Sequence, residues 1–258
     1  MTGLRHASLV LSIALALLWA PRDVRSQASG DFHDWAAVVI AADWRAADGA
    51  DTAAFDNARR DVSAALLRAG FRTDNLRQYS LRPRRPGDDP TVVTDKISAL
   101  KGFMASAERA RGGCLFYVTS HGMPGATVFG PSGVMTPRML DALLDEACAG
   151  RPTVAVISAC YSGSFIPEVR APNRMVLTAS RPDRNSFGCS DRDRYPYFDA
   201  CMIESLPQSG DFLTVAAKAR ACVARREAEQ RLTPPSEPQL AVGSDLQPRL
   251  PMLQFSRP

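Results

Sequence analysis

The sequence predicts an α/β fold in which a mainly parallel central sheet is flanked by helices. Three observations carry this. Strand-length apolar runs alternate with segments of helical periodicity from about residue 35 to residue 231, the pattern of a parallel sheet covered on both faces. With 258 residues, 45% of them hydrophobic and 22% charged, the chain is long enough to bury a sizeable core. Three of the apolar runs end in loops of small and turn-forming residues, "SHGMPG", "CYSGSF" and "SRPDRNSFGC".

The first segment stands apart from the fold. Residues 1–6 carry Arg5, "ASLVLSIALALLWA" (7–20) is an apolar stretch, and "VRSQA" offers Ser26 at a cleavage position. Residues 1–26 therefore read as a secretory signal peptide, which predicts a secreted or periplasmic protein. The apolar stretch is short of the roughly 20 residues that span a bilayer comfortably, although retention as an uncleaved anchor stays open. No cysteine follows closely enough to suggest lipidation, and no span is expected in the mature chain. Residues 27–258 read as one domain with a proline-rich C-terminal tail.

Along that domain, "WAAVVIAA" (35–42) is the first buried strand. Residues 51–71 form a helix with Phe55, Val62, Leu66 and Leu67 on its apolar face, closed by Gly70. "LRQYSL" is a short second strand, "RPRRPGDDP" a polar loop, and residues 91–110 the next helix. "CLFYVTS" is the third strand, "PRMLDALLDEAC" a helix, "TVAVISA" the fourth strand and "RMVLTAS" the fifth. Residues 198–231 are mainly helical, and the tail beginning "TPPSEPQ" is expected to lie over the surface. The net charge of +4 is scattered in mixed-sign patches such as "RRPGDDP", with no sustained basic run, which argues against a nucleic-acid partner.

An oxidising compartment lets cysteines pair. Of the six, Cys114 and Cys148 each precede a strand-like run. If those strands are parallel neighbours, both thiols lie at one sheet edge, and a bond between them is expected. A free Cys160 then requires one of Cys189, Cys201 and Cys222 to be unpaired as well. No C-x-x-C pair or histidine cluster suggests zinc or a dithiol exchanger, and neither metal nor cofactor is expected.

Open α/β sheets bind at the carboxyl ends of their strands. Two residues able to do chemistry stand there, His121 after the third strand and Cys160 after the fourth. Each has a plain reading, as a loop-bonding histidine and as an inert buried cysteine. His33, in "GDFHDW", reads as a surface residue. Taken together, an imidazole and a thiol at one rim form a dyad, because a thiol needs a base or a nearby positive charge to become a nucleophile at neutral pH. Order discriminates among such dyads: papain-like enzymes place the cysteine first, caspases place the histidine about 50 residues before it. Here the histidine comes first, in "LFYVTSHGMPG", with the cysteine following in "VISACYSGSF".

These two motifs resemble the His-Gly and Ala-Cys-x-Ser-Gly-Ser motifs of the legumain family of cysteine peptidases, which includes asparaginyl endopeptidases and the catalytic subunit of the GPI transamidase. "VLTASRPDRNSFGC" is similar to that family's Thr-Ala-rich strand and the loop after it. The pattern looks like a secreted bacterial branch of the family. The resemblance implies a caspase-like three-layer α/β sandwich acting on a peptide or protein substrate. In it Cys160 attacks the peptide carbonyl, His121 is the general acid/base, and the amides of Gly122 and Cys160 form the oxyanion hole. Gly163 and Ser164 are expected to turn the chain beneath the substrate.

The resemblance is weaker at the pocket for the first substrate side chain. Ser158 stands where the family has an acidic residue two places before the nucleophile. Asp199 matches another acidic position, and Asn57 or Arg59 lies near the family's basic one. Ser180 and Ser186 are further pocket candidates, though serines in loops are commonly turn formers. Preference for asparagine is not carried over. The reading is a secreted cysteine endopeptidase, with transpeptidation open; the alternative is a non-catalytic binding or scaffold module on the same fold.

Overall fold

The computed structural model describes residues 32–256, so the signal segment expected at residues 1–26 lies outside the described residues. In chain order the elements are β1 (Trp35–Ala41), α1 (Ala54–Arg68), β2 (Leu76–Ser80), α2 (Lys96–Arg109) and β3 (Gly113–Thr119). A small three-stranded antiparallel sheet follows, of β4 (Gly122–Met123), β5 (Ala126–Val128) and β6 (Val134–Met135). Then come α3 (Pro137–Cys148), β7 (Thr153–Ser158), the single turn α4 (Ile166–Val169), β8 (Arg174–Thr178), α5 (Tyr197–Ser205), α6 (Phe212–Glu229) and β9 (Gln239–Val242).

The main sheet has the order β2-β1-β3-β7-β8-β9, parallel throughout except for the antiparallel edge strand β9. β1, β3 and β7 are buried at every position, as their unbroken apolar runs require. Side chains alternate between two cores, because successive residues of a strand face opposite sides. Ala37 and Val39 pack with Val62 and Leu66 of α1 and Phe212 of α6; Val38 and Ile40 pack with Phe103 of α2 and Leu140 of α3. The result is the expected helix–sheet–helix sandwich.

Two disulfides fasten helices to this frame. Cys114–Cys148 joins the start of β3 to the end of α3, as expected from the sheet edge, and Cys201–Cys222 joins α5 to α6. They close loops of 34 and 21 residues, each stabilising by about 3 kcal/mol on loop-entropy grounds. Cys160 and Cys189 are free.

Three details differ from the sequence reading. α2 starts at Lys96 rather than residue 91, because Asp95 caps the amides of Ile97 (2.8 Å) and Ser98 (2.9 Å) while Val93 bridges to Ser80 beside β2. The loop after His121 folds into the small β4-β5-β6 sheet. The tail contributes β9 to the sheet edge instead of only lying over the surface; four residues bounded by prolines and Gly243 are too short to show a period.

Candidate active site

Strand register decides what the carboxyl rim presents. Thr119 of β3 pairs with Ser158 of β7, an offset of the same 39 residues that separates His121 from Cys160. Both residues therefore leave the rim two positions beyond the last paired residues, on strands about 4.8 Å apart. The chain following β1 passes close by: the backbone carbonyl of Arg45 accepts a hydrogen bond from His121 Nε2 at 2.7 Å. A carbonyl can only accept, so Nε2 carries the proton and Nδ1 of the neutral ring is left as the basic nitrogen. Phe55 of α1 holds the ring edge-on, with centroids 5.1 Å apart and planes at 79°.

Cys160 is fixed from the loop after β8. The Ser186 amide donates to Sγ at 3.2 Å, the Ser186 carbonyl lies 3.5 Å away and its hydroxyl 3.7 Å away. The next residue, Tyr161, takes the left-handed conformation at φ +57°, and its amide donates to Arg184 O at 2.8 Å. That turn ends the strand so that the sulfur stands free of the sheet. The turn expected at Gly163 and Ser164 is the 3-10 turn Ser162–Phe165, in which a Cβ on Gly163 would fall 2.7 Å from both Cδ and N of Pro182. Its role is close packing of the β7 loop against the β8 loop.

Gly122 joins the two halves of the site. A Cβ at this position would fall 2.8 Å from the Cys160 carbonyl carbon and 2.9 Å from its nitrogen. Only glycine lets the chain beyond His121 lie directly against the peptide of Cys160.

His121 and Cys160 line one cavity of about 520 Å³. Its remaining walls are residues 46–48 after β1 and residues 185–190 with Asp193 after β8. Three loops were expected to converge; the β1 loop is a fourth. Sequence reasoning missed Asp48, Cys189 and Asp193 as lining residues, since nothing in their local pattern marks a wall that exists only once the strands are paired. Ser186 does line the cavity.

The other five pocket candidates do not. Asn57 donates to Arg194 O at 3.2 Å, and Arg59 is engaged by Asp56 and Gln78 on the side of α1. Ser180 is fully buried, accepting from the Ser162 amide and donating to Ala159 O. Ser158 and Asp199 meet each other below the rim rather than in the cavity. His33 lies in the turn before β1, away from the cavity.

Asp199 is 0% exposed and accepts from three hydroxyls, those of Thr119 (2.6 Å), Ser158 (2.9 Å) and Tyr117. Thr119 and Ser158 each stand two residues before a member of the His121/Cys160 pair, so this carboxylate of α5 clamps both strand ends. Burial pushes its pKa up to about 6, against the opposing pull of the three hydroxyl donors, Thr119 first. A folded value above the unfolded 3.8 means that the fold binds the proton more tightly than the open chain. The resulting contribution is complete below about pH 4 and is lost as pH rises through about 6. The stability difference between wild type and Asp199→Asn is therefore expected to fall by on the order of 3 kcal/mol from pH 4 to pH 7. Urea unfolding of both proteins across that range measures it; a difference independent of pH would show that Asp199 is not proton-linked to folding.

Cys189 differs in kind from Cys160. Burial, followed by the charges of Cys160, Asp199, Asp193 and Asp43, raises its thiol far above the ordinary range, so it stays protonated and unreactive at neutral pH.

Comparison with known proteins fits this architecture. A sequence model of the Peptidase C13 family matches residues 96–218, which contain both His121 and Cys160. Among solved structures the chain is similar to caspase-1 from Spodoptera frugiperda, at a TM-score of 0.58 and 16% identity over 83% of this chain and 88% of that one. It is also similar to pro-Sf-caspase-1, at 0.56 and 16% over 81% and 91%. Likeness at such identity establishes the caspase-like fold and nothing further. No curated protein matches the chain in sequence.

Proposed function

We propose that the chain, whose residues 96–218 match the Peptidase C13 family and whose fold is caspase-like, is a secreted cysteine endopeptidase working through a Cys160/His121 dyad. The observation that carries this reading is the β3–β7 register, which brings His121 and Cys160 to one rim and into one cavity.

His121 Nδ1 takes the Cys160 proton, and the thiolate attacks the scissile carbonyl. The tetrahedral oxyanion is received by the amides of Gly122 and Cys160, with each such donor worth about 3 to 4 kcal/mol in acyl transfer. Collapse breaks the C–N bond, and the imidazolium gives its proton to the departing amine, leaving a thioester on Cys160. Water deprotonated by His121 then releases the acid and restores the thiol. An amine arriving in place of water would yield a transpeptidation product from the same thioester. The signal-like segment 1–26 supports export from the cytoplasm.

The test is a cleavage-site profile. Purified protein is incubated with a mixed peptide library, with and without prior alkylation by iodoacetamide, and products are read by mass spectrometry. Internal cleavage that disappears as Cys160 becomes alkylated is expected. Cleavage that survives complete alkylation of Cys160, or none from folded protein whose disulfides are intact and whose Cys160 titrates as a free thiol, would remove the endopeptidase reading.

A further inference from the structure

The cavity that holds the dyad also shows what side chain it is built to receive. Among the described residues, its ionisable lining groups besides His121, Cys160 and Cys189 are two carboxylates, Asp48 on the β1 loop and Asp193 on the β8 loop, and no lysine or arginine lines it. The two acids come from different walls, so a group placed between the loops meets negative charge on both sides. Outside the lining, Asp199 and the Arg45-paired Asp43 act on the thiol of Cys189 in the same sense as Asp193.

Four neighbouring arginines have acidic partners of their own. Arg45 is held by Asp43 at 3.0 Å and lies over the Trp44 ring; Arg181 and Arg184 both bond Asp183; Arg194 lies over Tyr195 and 3.9 Å from Asp61. Asp193 spends one oxygen, Oδ2, on the amide and hydroxyl of Ser190, which fixes its carboxylate on the cavity wall. Asp48 Oδ1 accepts from the Ala50 amide in the same manner. Ala46, Ala47, Phe187 and Gly188 give the lining an apolar or small surface that suits an aliphatic stem, beside the neutral polar Asn185, Ser186 and Ser190.

We infer that the first substrate side chain bound by this cavity is cationic, so that the enzyme cleaves after arginine or lysine, with Asp48 and Asp193 as the residues that set the preference. This rests on the dyad reading above. A long basic side chain lays its methylenes along Phe187 and the alanines and places its charge between the two acids. An acidic side chain is repelled there, and a neutral amide loses the charge-assisted bonds.

Two arms test this. The first uses fluorogenic peptides that differ only in the residue before the scissile bond. Arginine and lysine are expected to exceed asparagine, aspartate and leucine by about tenfold or more in kcat/KM, the scale of one hydrogen bond to a charged group. The ratio of cleavage after arginine to cleavage after leucine is expected to fall about tenfold in Asp193→Asn and again in Asp48→Asn, the latter an exposed position where folding is not at stake. Cys160-dependent cleavage that peaks after asparagine or aspartate, or a ratio unmoved in both variants, would overturn the inference and leave the dyad standing.

The second arm needs no turnover. Benzamidine, a cation, is expected to slow iodoacetamide labelling of Cys160, and its neutral analogue benzamide is not. Equal effects of the two would overturn the inference. Selective protection in a protein that hydrolyses nothing would uphold the cationic cavity and strike down the catalytic reading instead.

Discussion

Cys160→Ala is expected to lose peptide hydrolysis by about 10⁴-fold or more, the scale on which removal of a catalytic nucleophile acts, while His121→Ala loses about 10²- to 10⁴-fold. The inequality follows from chemistry. A thiol is a few per cent ionised at neutral pH without help, so loss of the base leaves some nucleophile, whereas loss of sulfur leaves none. Two consequences separate a dyad from two independent structural residues. The double variant should be no slower than Cys160→Ala alone, because residues acting as one unit are not additive. Activity of His121→Ala should recover towards alkaline pH, where hydroxide does what Nδ1 does in the wild type. Both are measured with steady-state kinetics on a peptide the wild type cleaves, and thermal melting of each variant checks that the fold survives. Additive losses, or a His121→Ala profile parallel to that of wild type, would place the imidazole outside the chemistry. Neither side chain is expected to be needed for stability: His121 bonds a loop carbonyl and meets the edge of one ring, Phe55, and among the described residues the hydrogen-bond contacts of Cys160 Sγ are with Ser186.

Much of this site was legible before folding, and the reason is local. Buried parallel strands write themselves as unbroken apolar runs, so β1, β3, β7 and β8 and the residues at their ends were readable. His121 and Cys160 sit at such ends. What was not legible depends on how strands pair and loops meet. The sequence reading put Asp199 in the substrate pocket; only the pairing of Thr119 with Ser158 reveals it as a buried clamp between two strands. Asn57 and Arg59 were placed near the pocket by likeness of position, but α1 turns them towards Arg194 and Gln78. Asp48 and Asp193 are ordinary loop acids until the β1 and β8 loops come to line one cavity with the dyad residues. The left-handed turn at Tyr161 carried no glycine to announce it. The walls of the cavity thus depend on long-range geometry that one-dimensional patterns do not encode, while His121 and Cys160 stand at strand ends that such patterns do.

Gly122→Ala is expected to cost about 10²- to 10³-fold in kcat, the loss that follows removal of one oxyanion donor, together with roughly 1 to 3 kcal/mol of stability from overpacking. The added methyl would be driven into the peptide unit of Cys160, whose carbonyl carbon and nitrogen would lie 2.8 and 2.9 Å from it. Backbone cannot yield as a flexible side chain can, so either the His121–Gly122 segment or the Cys160 peptide must move. In either case the two amides proposed for the oxyanion no longer converge. The ground-state thiol is less affected, because its contacts come from Ser186 on another loop. Alkylation of Cys160 should therefore continue at a rate within a few-fold of wild type while hydrolysis falls. Gly125→Ala is the matched control from the same loop: its φ of +77° strains an alanine, yet a Cβ there meets nothing within 4 Å. It should lose about 1 kcal/mol of stability and keep its turnover. If Gly122→Ala hydrolysed peptides as fast as Gly125→Ala, the contact between the two strand ends would have no part in stabilising the oxyanion. The proposed hole would then have to be sought elsewhere on the rim.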